Sequence, residues 1–214
     1  WFAGLFYWAN DIYVFLAEPL TKHLPEGSSM IAIDVASPFL TPFKTTFFVA
    51  IFIAMPVVLF QVWQFVAPGL YKHEKRFAVP LMLSSVVLFY AGIAFAYFIV
   101  FRIMFTFFAQ MVPGGVAMTP DISAYLDFVL GIFLAFGLAF EVPIATVMLI
   151  WSGLVSIKTL KSIRPYMFLG AFVVGMVLTP PDVFSQTLLA IPMYLLYEGG
   201  LIMARYLLPE KTAA

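Results

Sequence analysis

Apolar residues fill this chain in long stretches separated by short polar connections, a pattern that predicts membrane-spanning helices. A full span needs roughly 20 apolar residues to cover a hydrocarbon core of about 30 Å. The stretches fall near 43–66, 77–101, 125–150, 166–178 and 185–207, with a continuation of the second to 111 left open. Trp1–Trp8 reads as the far end of a first span (1–9, partial) whose beginning lies outside this sequence, making six. These opening residues lack the basic start of a signal peptide. Between Tyr166 and Tyr206 the two apolar runs each look too short to cross comfortably, and the polar knot Thr179-Pro180-Pro181-Asp182 joins them. Polar groups at that depth persist only where protein or a water-filled cavity receives them. The pattern therefore implies a locally thinned, partly wet membrane protein that handles something polar.

Composition supports that class. The chain is 64% hydrophobic and 10% charged, against about 25% charged in soluble domains. At 214 residues it holds one transmembrane domain, 1–214. The absence of cysteine excludes disulfides, thiol catalysis and thiolate metal sites. Acids and bases balance at 11 each, so the information lies in their distribution. Lys72, Lys75 and Arg76 lie in one connection, Lys158, Lys161 and Arg164 in another, and Arg205 and Lys211 in the tail. Asn10–Pro42 instead carries Asp11, Glu18, Glu26 and Asp34 against Lys22. Positive connections stay cytoplasmic, which places both Lys-rich loops and both termini inside. The outer segment 10–42 is too long for a structureless connection. It predicts an external cap: an interfacial helix over Asp11–Leu24, a turn at Pro25–Ser29 and an extended strand at Met30–Val35.

Glu141 is the clearest chemical anomaly, an acid inside the fourth stretch in Ala139-Phe140-Glu141-Val142-Pro143. A carboxylate near the bilayer centre costs about 2.5–3.5 kcal/mol on insertion scales, and Pro143 frees a backbone carbonyl nearby. Either the carboxyl stays protonated or pairs inside the bundle purely for packing, or it is a polar site facing a concavity. Asp182 and Gln186 share one helix face if Pro181 starts a helix; Asp182 then caps it, whereas Gln186 has no capping duty. Glu198 is read as a carboxylate that either snorkels or is ion-paired, with Arg205 as the candidate partner. Glu74 sits among Lys72, Lys75 and Arg76 in what composition alone makes a solvated, orientation-setting loop, and His73 reads as surface. No Ser/His/Asp set, phosphate loop, metal-ligand cluster or cofactor signature is present, and nothing points to nucleic acid. Two other classes stay open on the residues alone. One is a proton-coupled small-solute transporter using Glu141; the other is an intramembrane aspartic protease, which fails unless Glu141 and Asp182 reach one depth.

Several segments are more specific. Glu18-Pro19-Leu20, Ser37-Pro38-Phe39, Gln61 through Tyr71, Glu74-Lys75-Arg76, Phe140-Glu141-Val142-Pro143, Arg164-Pro165-Tyr166 and Gly170 through Gln186 resemble the TatC family in order. That family is the polytopic receptor subunit of the twin-arginine protein translocase. The resemblance implies an all-α membrane protein with six transmembrane helices in a concave glove-like bundle, the first truncated here and the fifth and sixth short. It implies no enzyme and no cofactor, and a multi-pass protein of the bacterial inner membrane. Its partners would be TatA-like and TatB-like single-span proteins, twin-arginine precursors and further copies of the chain. The family's signal-binding carboxylate falls on Glu74, with Phe65 and Leu70 shaping the surface beside it. Glu141 becomes an intramembrane polar contact. Asp182, Pro180 and Pro181 would form the outer cap, and Gln186 and Thr187 the exposed partner-docking positions. The family also has a cytoplasmic amphipathic segment before its first span, which this sequence lacks.

Overall fold

A backbone surrounded by hydrocarbon must satisfy its own N–H and C=O groups, so the apolar stretches become helices. The structure, a computed structural model, describes residues 2–22, 30–66, 75–111, 119–179 and 182–207, the side chains at 65, 66, 75–78 and 207 excepted. The described elements are α1 (Phe2–Leu5), a 3-10 turn (Phe6–Trp8), α2 (Ala9–Thr21), α3 (Ser37–Val66) and α4 (Lys75–Phe95). A π-helical segment (Ala96–Val100) leads into α5 (Phe101–Met111); α6 (Ile122–Ala139), α7 (Val142–Trp151), α8 (Ile157–Ser162), α9 (Arg164–Leu178) and α10 (Val183–Leu207) follow. Among the described residues there is no named strand, only an isolated bridge. This is an all-α membrane protein.

Among the described residues, four stretches are long and apolar enough to cross a bilayer: Ser37–Gln64, Val79–Met111, Ile122–Trp151 and Val183–Tyr206. α9 is shorter, at 15 residues. At 1.5 Å rise per residue it reaches about 22 Å, less than the hydrocarbon core of about 30 Å.

Three local expectations change. α3 begins at Ser37 rather than near 43, because Pro38 sits in its first turn, where a missing N–H costs nothing. Pro42 is absorbed within it. α10, expected short, has 25 residues and contains Pro192 in its interior. The strand expected at Met30–Val35 reduces to one parallel bridge: Ile31 N–H donates to Pro120 O at 3.0 Å and Ile122 N–H to Ile31 O at 2.9 Å.

The chain divides into two compact units, Trp1–Met55 with Ala94–Leu134, and Pro56–Ile93 with Ala135–Ala214. The first has an aromatic core: the Phe101 and Phe133 rings lie 5.2 Å apart, and Phe101 stacks on Phe105 at 5.4 Å. Here α2 is tied down by Tyr125, whose hydroxyl donates to Leu16 O at 2.9 Å. Asp121 anchors the segment after it, accepting from Ile33 N–H at 3.1 Å and Ala124 N–H at 3.0 Å. These donors hold its carboxyl below the ordinary carboxylate value. Glu18 is also held low, by Lys22 one turn away at 2.6 Å. In the second unit α10 lies against α7 and α9, and a small cluster of Leu160, Tyr197 and Leu201 closes one end.

Candidate functional site

Glu141 owes its setting to a helix break. The backbone turns at Phe140 and Glu141: Phe140 N–H reaches Phe136 O at 3.0 Å, and Glu141 N–H tightens to Leu138 O at 3.1 Å. Pro143, in the first turn of α7, has no N–H to continue the ladder. The acid therefore lies at the joint of α6 and α7, inside a stretch otherwise able to span the membrane. α4 approaches this joint closely because Gly137 has no side chain; a Cβ there would stand 2.6 Å from the Phe89 ring. One turn from each of these residues, along the same contact, lie Ser85 and Glu141. The buried Ser85 hydroxyl donates to Glu141 Oε2. Glu141 Oε1 is buried and has no hydrogen-bond partner among the described residues. One oxygen is satisfied by the fold and the other is an unfilled acceptor. Chemically the site can receive one further donor.

A second polar group of atoms lies where α9 meets α10. Asp182 Oδ1 accepts from Ser185 N–H at 2.7 Å, an N-cap on α10. Its Oδ2 and the Ser185 hydroxyl are buried and have no hydrogen-bond partner among the described residues. The Gln186 amide donates to Phe172 O at 2.9 Å, and Thr179 Oγ1 donates to Gly175 O at 2.8 Å. Gln186 and Thr187, expected to be exposed, are half-buried. The Gln186 side chain braces α9 against α10, where Gly175 leaves room for it: a Cβ there would stand 3.2 Å from Gln186 Cγ.

Glu198 pairs with Arg164 at 2.6 Å rather than with Arg205, and accepts from the Tyr194 hydroxyl at 2.9 Å. Arg164 opens α9 beside α10, whereas Arg205 lies two turns further along Glu198's own helix. Glu74, Leu70, Pro180 and Pro181 lie outside the described residues, as does the Phe65 side chain. Among the described residues, no group of three or more His, Asp or Glu side chains could hold a metal ion.

Sequence reasoning missed Ser85, the Arg164–Glu198 pair, and an ion pair between Lys44 on α3 and Asp127 on α6. Asp127 carried a signal, being an acid inside an apolar stretch. Ser85 carried none, since a serine in a membrane helix bonds its own backbone as readily, as Ser84 does to Pro80 O.

The family model described as Sec-independent protein translocase protein (TatC) matches residues 1–192. A Sec-independent protein translocase protein TatC from Azotobacter chroococcum is 64% identical over the whole chain and 84% of its own length. One from Escherichia coli is 58% identical over 96% of the chain and 80% of its own length. A crystal structure described as the twin arginine translocase receptor TatC superimposes with a TM-score of 0.86 at 38% identity, covering 96% of this chain and 90% of that one. With a likeness that extends over sequence and backbone alike, the chain belongs to the TatC family of Sec-independent protein translocase proteins.

Proposed function

We propose that this chain is the signal-peptide receptor of a twin-arginine translocase. It binds twin-arginine signal peptides of folded precursors and gathers TatA-like and TatB-like single-span partners, and further copies of itself, for export driven by the proton-motive force. As a TatC-family translocase component it is a non-enzymatic part of protein transport and a multi-pass membrane protein; membership sets aside the carrier and protease readings. The observation that carries the receptor reading is the whole-chain likeness to a structure described as the twin arginine translocase receptor. The distribution of Lys and Arg supports an inner-membrane topology with both termini in the cytoplasm.

On this reading Glu74 is the carboxylate that receives the diarginine pair, with Phe65 and Leu70 beside it, because guanidinium groups favour bidentate carboxylate partners. The unfilled Glu141 Oε1 takes a donor from a partner's transmembrane segment or from an inserted signal hairpin. The outer ends of α9 and α10, with Asp182, Gln186, Thr187, Pro180 and Pro181, form the wall against which a partner helix packs. The test is photocrosslinking from residues 68–76 to a twin-arginine precursor in membranes. Crosslinks should form with Arg-Arg and fail with Lys-Lys. Glu74→Gln should cost about one to two decades in affinity, the worth of one charge-assisted hydrogen bond. Unchanged precursor binding by Glu74→Gln and Glu74→Ala membranes refutes the assignment.

A further inference from the structure

The connection between α7 and α9 is built, not merely charged. Gly153 takes a left-handed turn at φ 73°, which a side chain would resist. Ser156 then caps α8, its hydroxyl oxygen accepting from Thr159 N–H at 3.1 Å. Leu160 is buried between Tyr197 and Leu201 of α10, and the Tyr197 hydroxyl donates to Leu160 O. One face of α8 is thus pinned to the end of α10. Lys158 and Lys161, a turn apart on the other side of α8, are exposed. Arg164 follows directly, its side chain 42% exposed although Glu198 takes one edge of it. Arg205 is exposed one turn beyond Leu201, on the stripe of α10 that meets α8. Two tyrosines, Tyr166 at 73% and Tyr206 at 82% exposure, lie at the same helix ends.

A topology signal needs only charge in a loop. It needs neither a capped helix nor a buried leucine to hold its lysines in place. We propose that Lys158, Lys161, Arg164 and Arg205 form a fixed headgroup site for an anionic phospholipid at the leaflet bordering this end of the second unit. The occupant follows from charge and position. Four cations, of which Glu198 offsets one, are carried on helices packed against one another where the apolar parts of α7, α9 and α10 end. Lipid phosphates lie at that level, and tyrosines favour it. Assigning the inner leaflet rests on the topology proposed above, but the lipid measurement does not depend on it.

The test is lipid retention by native mass spectrometry of the full chain, released from micelles containing phosphatidylglycerol and phosphatidylcholine. The wild type should keep phosphatidylglycerol selectively. Each basic residue near an anionic surface is worth about five-fold, so Lys158→Gln with Lys161→Gln should weaken retention about thirty-fold. Lys158→Arg with Lys161→Arg should preserve it. Lys72→Gln with Lys75→Gln, which removes the same charge from the other basic connection, should leave it unchanged. Equal losses from the two glutamine pairs, or no selectivity in the wild type, overturns the proposal. Displacement of the lipid by inorganic phosphate at matched ionic strength would identify a free-anion site and overturns it too.

Discussion

Gly199 and Gly200 are neighbours on α10, yet substituting each by alanine should move stability in opposite directions. A Cβ built on Gly200 lies 2.8 Å from Pro143 Cα and 3.1 Å from Thr146 Cβ and Oγ1. Carbon atoms prefer about 3.5–4.0 Å, so the contact is short by about 1 Å. The nearest atom is backbone and cannot rotate away, so α10 must shift off α7. Overpacking of this kind costs about 1–3 kcal/mol, only partly offset by the gain of about 0.5–1 kcal/mol from replacing a helical glycine. On Gly199 the added Cβ meets nothing within 4 Å, so only the helical gain remains. Gly199→Ala should therefore stabilise by about 0.5–1 kcal/mol, and Gly200→Ala should destabilise by about 1–2 kcal/mol. Reversible unfolding in mixed micelles, followed by circular dichroism for both variants and their double, measures the signs. Two shifts of the same sign would refute the close α7–α10 approach described above.

Three further outcomes follow from other contacts. Ser85→Ala removes the donor to Glu141 Oε2 and should cost about 0.6–2 kcal/mol as an interhelical hydrogen bond in a membrane; in a double-mutant cycle with Glu141→Leu that cost should vanish, and an undiminished cost shows that the two side chains do not interact. Asp121 and Glu18 have depressed folded-state values, so their contribution to the segment around α2 is complete above the ordinary carboxylate value near about 4 and is lost as pH falls through the folded one. Amide exchange at Ile33 should accelerate below about pH 4 beyond its intrinsic pH dependence, and Asp121→Asn should exchange fast already at neutral pH. Asp182→Ala removes an N-cap worth about 1 kcal/mol, and Gln186→Leu frees the Phe172 carbonyl at a cost of about 0.6 kcal/mol. Both should lower the unfolding midpoint and weaken capture of a TatB-like partner while leaving precursor crosslinking at the 68–76 connection intact; loss of precursor crosslinking in either variant overturns this separation of roles.

The helices were legible because hydrocarbon leaves the backbone no other solution, so runs of apolar residues suffice to locate them. Glu141 was legible for the same reason inverted: an acid amid apolar residues must have a use or a partner. Which partner it has was not legible. Pairing with Ser85 depends on the register of α4 against α6, set by the missing side chain of Gly137 under the Phe89 ring, and spacing along one helix carries no information about the next. Glu198 went to Arg164 rather than Arg205 because proximity in space overruled proximity in sequence. Gln186 was read as exposed because its helix face was inferred from α10 alone, whereas the Phe172 carbonyl that receives it belongs to α9. Glu74 was picked out by likeness to a family rather than by chemistry, since an acid among three bases looks like any solvated loop.

The π-helical segment at Ala96–Val100 bears on a different property of the chain, its phase. Phe101 N–H bonds back to Ala96 O, five residues away instead of four. At about 100° per residue a regular α-helix would set Ala96 and Phe101 roughly 140° apart. The wider turn brings them closer to one side, and Ala96, Val100, Phe101, Met104 and Phe105 are all buried together. The segment thus acts as a one-residue insertion accommodated without a loop, with Phe98 and Ile99 turned outward at 68% and 46% exposure. Removing one of those two would restore the ordinary spacing while keeping the buried residues on a common side. A relative one residue shorter here would lose nothing from its core.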